Sequence, residues 1–422
     1  MLNKIKHFEL QDHEWFMCLP FLLLYIVIVV LGYSGPMTGD EGRYYLFTKN
    51  LLNGFYSPSP PNINLWSGPG YPIVLIPFVA LGLPRICITL LNACFHYFSV
   101  VYLFKSLKNC ISQNNSLVLT ICWGLYFVAY QELDFIVSEC LTMFLITIFM
   151  YYLIVSLKYK SNLNLVLCGL SFGYLSLTKI IFGYVLLSML TLAVFNFTIK
   201  RDANYLKIVR IFSFALLLNL PYLTYTYVLT GKYFYWGNSG GMSLYWMSTP
   251  FIGEYGDWRL TDTRGHFIEY SGSAGDPRLV ENHKKDIEYV TSLPVIEQDD
   301  AYKKLAFENI KGHPVKYLQN IMSNFGRLLF GVPFSYEYQR NTVLRYVPNF
   351  IIFSLAVLFI VPFLTCWNRI PFEIRYVFLV ALIYLAFSCL VSAYPRHFYV
   401  IVPLILLWIG DMFQRIVTLK RC

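Results

Sequence analysis

Ten apolar stretches of 15 to 21 residues recur along the chain, at 15–33, 86–104, 116–130, 137–157, 163–177, 180–197, 211–229, 347–366, 376–393 and 398–417. Crossing a bilayer as a helix takes about 20 such residues, so the pattern predicts about ten spans, with 116–130 and 163–177 the shortest. An eleventh apolar run, "YPIVLIPFVALGL" at 71–83, has 13 residues and is too short to cross. Counting it as a crossing would also reverse every later loop, so it is expected to be an interfacial or re-entrant segment on the outer face. The one large polar piece is 231–346. Within it 299–329 is expected to be helical and broken at His313-Pro314, because proline removes a backbone donor and clashes with the preceding turn. The second half of that helix is amphipathic and suited to lying along the bilayer surface. The Gly-, Tyr- and Ser-rich stretch 231–275 reads as loops, and no internal repeat is present.

The expected organisation is an N-terminal transmembrane module at 1–230 with its first outer loop at 34–85. An extracytoplasmic segment follows at 231–346, then C-terminal transmembrane helices at 347–422. Composition agrees with an all-α polytopic membrane protein. Hydrophobic residues make up 57% and charged residues 14%, against about 25% charged in soluble domains. The net charge of +9 comes from short basic clusters between apolar runs. It is an orientation signal and not a nucleic-acid surface.

With the N-terminus cytoplasmic, the short inner segments carry fifteen Lys and Arg and the short outer ones five: Arg43, Lys49, Arg85, Lys179 and Arg396. That is the bias expected of cytoplasmic loops, and it places both termini inside. The first apolar run lacks a small-residue cleavage site and is expected to stay as an anchor. The ten cysteines show no paired CxxC spacing and read as small core residues.

Threading this way gathers ionisable residues on one face. The first loop brings Asp40, Glu41 and Arg43, followed by "SGPGYP" at 67–72. Later outer turns bring Glu132, Asp134 and Glu139, then Lys179, then Arg396 and His397. Ionisable residues at the edge of a bundle are costly unless they face a cavity or one another. Plainer readings stand beside the functional one. The acidic pair suits the start of a helix, Glu139 suits a helix N-terminus, and Lys179 and Arg396 suit snorkelling to headgroups. His397 suits an interfacial role, and His266 and His283 lack partners at metal-ligand spacing.

"GDEGRYYLFTKNLLNG" at 39–54 resembles the first-loop signature of polyprenyl-phosphate-dependent, GT-C-type membrane glycosyltransferases, the superfamily of protein O-mannosyltransferases and aminoarabinose–lipid A transferases. The shared pattern is an acidic pair after the first span, then tyrosine, then an amphipathic stretch ending in glycine. "SGPGYP" is similar to the proline turn of the next outer segment, and "SECLTMFL" to the acidic start of the fourth helix. "AFENIKGHPVKYL" is similar to the helix before the later spans, and "YPRHFYVIVPLI" to the last conserved span. The chain departs where the lipid A enzymes carry an acidic–basic pair and it has Trp66-Ser67-Gly68. The late outer domain of the protein mannosyltransferases is not recognisable either.

The resemblance implies a GT-C-like bundle that moves a monosaccharide from a polyprenyl (undecaprenyl) phosphate carrier to an acceptor hydroxyl, with inversion. Asp40 would be the base and Glu41 would orient it, while Arg396 and Lys179 would take the donor phosphate. Glu139, Asp134 and Arg43 would serve the acceptor or sugar, with Tyr44, Trp66 and Tyr71 as stacking platforms. No cofactor is implied as obligate, and a divalent cation is not indicated. The chain has no GxxxxGK phosphate loop, as suits a donor that arrives on a lipid where nucleotides are absent. The expected setting is the periplasmic face of a bacterial inner membrane, with a glycan or lipid acceptor such as O-antigen or lipopolysaccharide. A protein acceptor, a glycan ligase or polymerase, and a lipid-linked sugar flippase stay open.

Overall fold

The computed structural model describes residues 13–33, 37, 39–159, 161–259, 277–336 and 343–419, and every regular element among them is helical. Seven helices are long and apolar enough to cross a membrane. They are α1 (His13–Gly32), α4 (Arg85–Lys108), α6 (Glu139–Lys158), α8 (Ile181–Lys200), α9 (Ala203–Thr230), α14 (Val343–Thr365) and α15 (Phe372–Leu390). A helix is the natural answer to the bilayer because it satisfies its own backbone groups.

The other three expected spans differ from the pattern. The 116–130 run forms α5 (Gln113–Gly124), which stops where the Tyr25 and Tyr130 hydroxyls donate to the Gly124 carbonyl at 2.8 and 2.6 Å. The chain then continues as a 3-10 turn, Phe127–Glu132. The 163–177 run is the 17-residue α7 (Asn162–Thr178). The 398–417 run is divided between a short α16 (Pro395–Tyr399) and α17 (Val402–Leu419). Run length alone does not register these interruptions.

Two helices belong to the first loop: α2 (Asp40–Leu52) and α3 (Gly70–Ala80). The second holds most of the 71–83 run and has 11 residues, short of a crossing. The polar segment supplies α10 (Gly240–Met247), α11 (Pro277–Ser292), α12 (Val295–Gly312) and α13 (Pro314–Phe330). The break at His313 falls where proline requires it. The 231–275 stretch is not all loop, since α10 lies within it. Met242, Tyr245 and Trp246 pack with Leu279, Ile287 and Tyr302 as a small core of their own.

The amphipathic α13 is inside out by the standard of a soluble protein. Asn320, Asn324 and Arg327 share one stripe and are fully buried, whereas Val315, Leu318 and Met322 on the opposite side are exposed. That arrangement suits a helix with lipid on one side and a polar protein interior on the other. The buried stripe has a task. Asn324 donates to the carbonyls of Ser388, Cys389 and Val391 and accepts from the Ala393 amide, and Arg327 donates to the Ala393 carbonyl at 3.2 Å. These bonds fix the turn between α15 and α16, from which Arg396 projects.

Candidate functional site

The first turn of α2 carries Asp40 and Glu41 directly after Gly39, whose φ of 56° lies in the region glycine tolerates best. Gly39 occupies the N-cap position, so the two acids are the first residues of the helix itself. Both sit where the helix dipole favours negative charge, and they lead in different directions.

Glu41 is turned into the protein. It is buried, and its Oε1 accepts from Arg85 Nε and Nη2 at 2.9 and 2.7 Å and from the Ile136 amide at 2.9 Å. Arg85 also donates to the Asp134 carbonyl at 2.7 Å and lies over the Tyr33 ring. One buried arginine therefore ties the first turn of α2 to the 134–136 loop and to the end of α1. Asp134 belongs to this clasp, with its carboxylate against Gly32. Burial first, and then Glu41, raise its carboxyl above the usual range.

Asp40 stays one-quarter exposed and meets three other elements through Arg396. Arg396 Nη1 is 2.8 Å from Asp40 Oδ2, and its Nε is 3.6 Å from Glu139 Oε1. Glu139, at the start of α6, also accepts from Lys179 Nζ at 3.0 Å. Arg43, one turn along α2, pairs with Asp40 and lies over the Trp66 ring. Asp40, Glu139, Lys179 and Arg396 therefore form one chain of ion pairs, drawn from α2, α6, the C-terminus of α7 and α16.

The "SGPGYP" stretch has a clear physical role in placing Lys179. A Cβ at Gly68 would stand 2.0 Å from the Leu177 carbonyl, and one at Gly70 would stand 2.8 Å from the Thr178 amide. Only glycine allows this backbone to rest on the end of α7 that presents Lys179.

Glu132, grouped on this face by the sequence but given no role there, belongs to the same centre. It is buried within electrostatic reach of Glu139, Arg396 and Lys179; burial first, and then Glu139, push its carboxyl up to about 7. His397 is moved the other way, well below its usual range, by burial and the adjacent Lys179 and Arg396 charges. Three cations, Arg43, Lys179 and Arg396, thus face two firmly paired carboxylates and a third acid that holds its proton readily. The balance favours an incoming anion.

The aromatic residues need correction. Tyr71 is completely buried, with its hydroxyl on Asn92 Oδ1 at 3.3 Å. Tyr44 is also buried, donates to Ser138 Oγ at 3.0 Å, and packs edge-on against Tyr71 with centroids 5.1 Å apart. Burial and the Glu139 charge push the Tyr44 hydroxyl up to about 12. With no free ring face, neither residue can stack on a sugar, and both serve to pack α2 against α3. Trp66, half-buried beside Trp258 at 6.2 Å, is the one of the three still placed to do so.

Of the sequence-expected residues, Asp40, Arg43, Glu139, Lys179 and Arg396 come together with Trp66 at their edge. Glu41 and Asp134 stand in the Arg85 clasp. His283 lies in the polar segment, 2.8 Å from Glu254 and 2.7 Å from the Tyr245 hydroxyl, as part of that segment's interior. His266 lies outside the described residues. Arg85 gave no sequence signal beyond its place at the start of a span.

No family model matches the sequence, and no curated protein is similar to it. Among solved structures the chain is similar to an Archaeoglobus fulgidus oligosaccharyltransferase tethered with an acceptor peptide containing the NVT sequon. The TM-score is 0.51 at 13% identity, over 96% of this chain and 50% of that one. ArnT from Cupriavidus metallidurans bound to undecaprenyl phosphate follows at 0.40 and 12%, over 95% and 78%. The chain spans about half the length of the oligosaccharyltransferase, and the likeness speaks to the fold. That fold is an all-helical bundle like that of the oligosaccharyltransferase, with seven helices long and apolar enough to cross a membrane.

Proposed function

We propose that the protein is a GT-C glycosyltransferase that takes a monosaccharide from a polyprenyl-phosphate carrier and places it on a hydroxyl of a glycan or lipid acceptor. The observation that carries this reading is Arg396 bridging Asp40 and Glu139 at one end of the helical bundle. The solved relatives add that one such fold holds undecaprenyl phosphate.

The proposed reaction is a single displacement. The acceptor oxygen attacks the anomeric carbon, its proton passes to Asp40, and the bond from that carbon to the phosphate oxygen breaks with inversion. The departing phosphate gains negative charge, which Arg396 and Lys179 are placed to receive. Arg396 is suited to this because a guanidinium can grip two phosphate oxygens at once. Without donor, Arg396 holds the base itself. A donor phosphate would compete for that guanidinium and release Asp40 Oδ2 to accept the acceptor proton. Donor binding would in this way ready the base, and an empty site would keep it occupied.

In this reading the site faces the periplasm of a bacterial inner membrane, with both termini cytoplasmic and with O-antigen or lipopolysaccharide as the kind of acceptor served. The basic-residue asymmetry supports that orientation. No cofactor is assigned. Incubating the purified protein with one polyprenyl-phosphate monosaccharide and candidate acceptors, with products read by mass spectrometry, tests the proposal. Transfer of one sugar with release of polyprenyl phosphate is expected. Joining of whole glycan chains would indicate a ligase or polymerase, and movement of intact donor across vesicles would indicate a flippase.

A further inference from the structure

A second charged pocket lies at the far end of α8. Lys179 stands just before the first residue of that helix, and the pocket is at its last residue, Lys200. Twenty residues at 1.5 Å each separate the two by about 30 Å. The pocket has a volume of about 130 Å³ and is lined by Asn196, Lys200, Tyr205, Trp367, Arg375 and Tyr376 among others. It opens where α8, the first turn of α9 and the start of α15 meet.

Two cations line this space, and no carboxylate among the described residues does. Lys200 Nζ donates to the Tyr205 hydroxyl at 3.1 Å and lies over its ring. Arg375 sits between the Trp367 and Phe372 rings, 5.5 and 5.6 Å from their centroids. Its Nε is buried and has no hydrogen-bond partner among the described residues. The acid nearest in sequence, Glu373, is turned to Lys158, 3.6 Å away. A buried guanidinium nitrogen without an acceptor is costly, and an acceptor that carries negative charge would satisfy it best. On the same helices, within four residues of lining positions, Phe195 and Ile199 on α8 and Leu382 on α15 are exposed apolar side chains.

We infer that the Lys200–Arg375 pocket binds the phosphate of an anionic lipid headgroup, in the leaflet opposite the candidate active site. Phosphate oxygens would accept from Arg375 Nε and Lys200 Nζ, and the acyl chains would run along Phe195, Ile199 and Leu382. Basic pockets between membrane helices are well suited to such headgroups. Free phosphate offers the same oxygens without the chains, so the lipid flank decides between the two sources.

The test uses the full chain in detergent, titrated separately with phosphatidylglycerol, phosphatidylcholine and inorganic phosphate, with bound lipid read by native mass spectrometry and protection by thermal unfolding. Phosphatidylglycerol is expected to bind and protect, and affinity is expected to fall roughly fivefold for each of Lys200→Gln and Arg375→Gln. Arg375→Lys, which keeps the charge, is expected to recover part of the loss and to show that the fold is intact. Equal affinity of wild type and variants for phosphatidylglycerol overturns the assignment, as does equal binding of phosphatidylcholine. Protection by inorganic phosphate alone, lost in the variants, overturns the lipid source.

Discussion

Arg85→Met is the most informative perturbation outside the reacting groups. The methionine keeps most of the stem and removes a guanidinium that makes two contacts with Glu41 and one with the Asp134 carbonyl. Glu41, 1% exposed, loses the buried cation that balances its charge, while the Ile136 amide still donates to its Oε1. Removing one member of a buried pair costs about 3–5 kcal/mol, mostly as the penalty on the stranded charge. The double variant Arg85→Met/Glu41→Gln strands nothing and is expected to recover most of that loss, so the two changes are strongly non-additive. Transfer activity follows a different rule. Both variants untie the first turn of α2 from the 134–136 loop, so Asp40 loses its fixed approach to Arg396, and activity stays low in the double variant although stability returns. Thermal unfolding in detergent and a transfer assay on the same preparations read the two effects. Additive destabilisation, or full activity in the double variant, would refute the view that this clasp positions the site.

Arg396→Ala is expected to raise the donor KM far more than the acceptor KM, as read by initial rates at varied polyprenyl-phosphate sugar. Glu139 keeps Lys179 in that variant, so folding should survive. Tyr71→Phe removes the hydrogen bond from α3 to Asn92 on α4 and is expected to cost about 1 kcal/mol of stability. Its sugar KM should not change, whereas Trp66→Ala should raise it. For Glu132, the folded carboxyl titrates near 7, above the ordinary value of 4.5. The folded state therefore holds the proton more tightly than the unfolded one, and stability falls as pH rises from about 4.5 to 7. Glu132→Gln is expected to flatten that fall, measured as the unfolding midpoint at a series of pH values.

The membrane class, seven of the spans and the gathering of charges from separate loops were legible because each is a matter of composition, run length or the end of a helix. Asp40, Glu139, Lys179 and Arg396 could be nominated together because each stands at the same end of a predicted helix. What one sequence does not carry is the direction of a side chain about its helix. Asp40 and Glu41 are neighbours in the chain, yet about 100° of helical rotation sends one to Arg396 and the other to Arg85. Tyr44 and Tyr71 read as interfacial aromatics, but only the contact of α2 with α3 shows that both rings are covered. Nor does an amphipathic pattern say which of its faces meets protein. For α13 the polar face does, so that Asn324 and Arg327 can hold the turn before Arg396. Glu132 looked like one more loop acid until its burial beside Glu139 set it apart.

A single-turnover comparison of wild type with Asp40→Asn, using a defined polyprenyl-phosphate sugar and equal amounts of folded protein, reaches the heart of the account. The asparagine has nearly the same shape and cannot take a proton, so transfer should slow by roughly 100-fold or more while donor binding persists. An undiminished rate would mean that the carboxylate bridged by Arg396 is no base, and that the ion-paired cluster joins helices without performing chemistry.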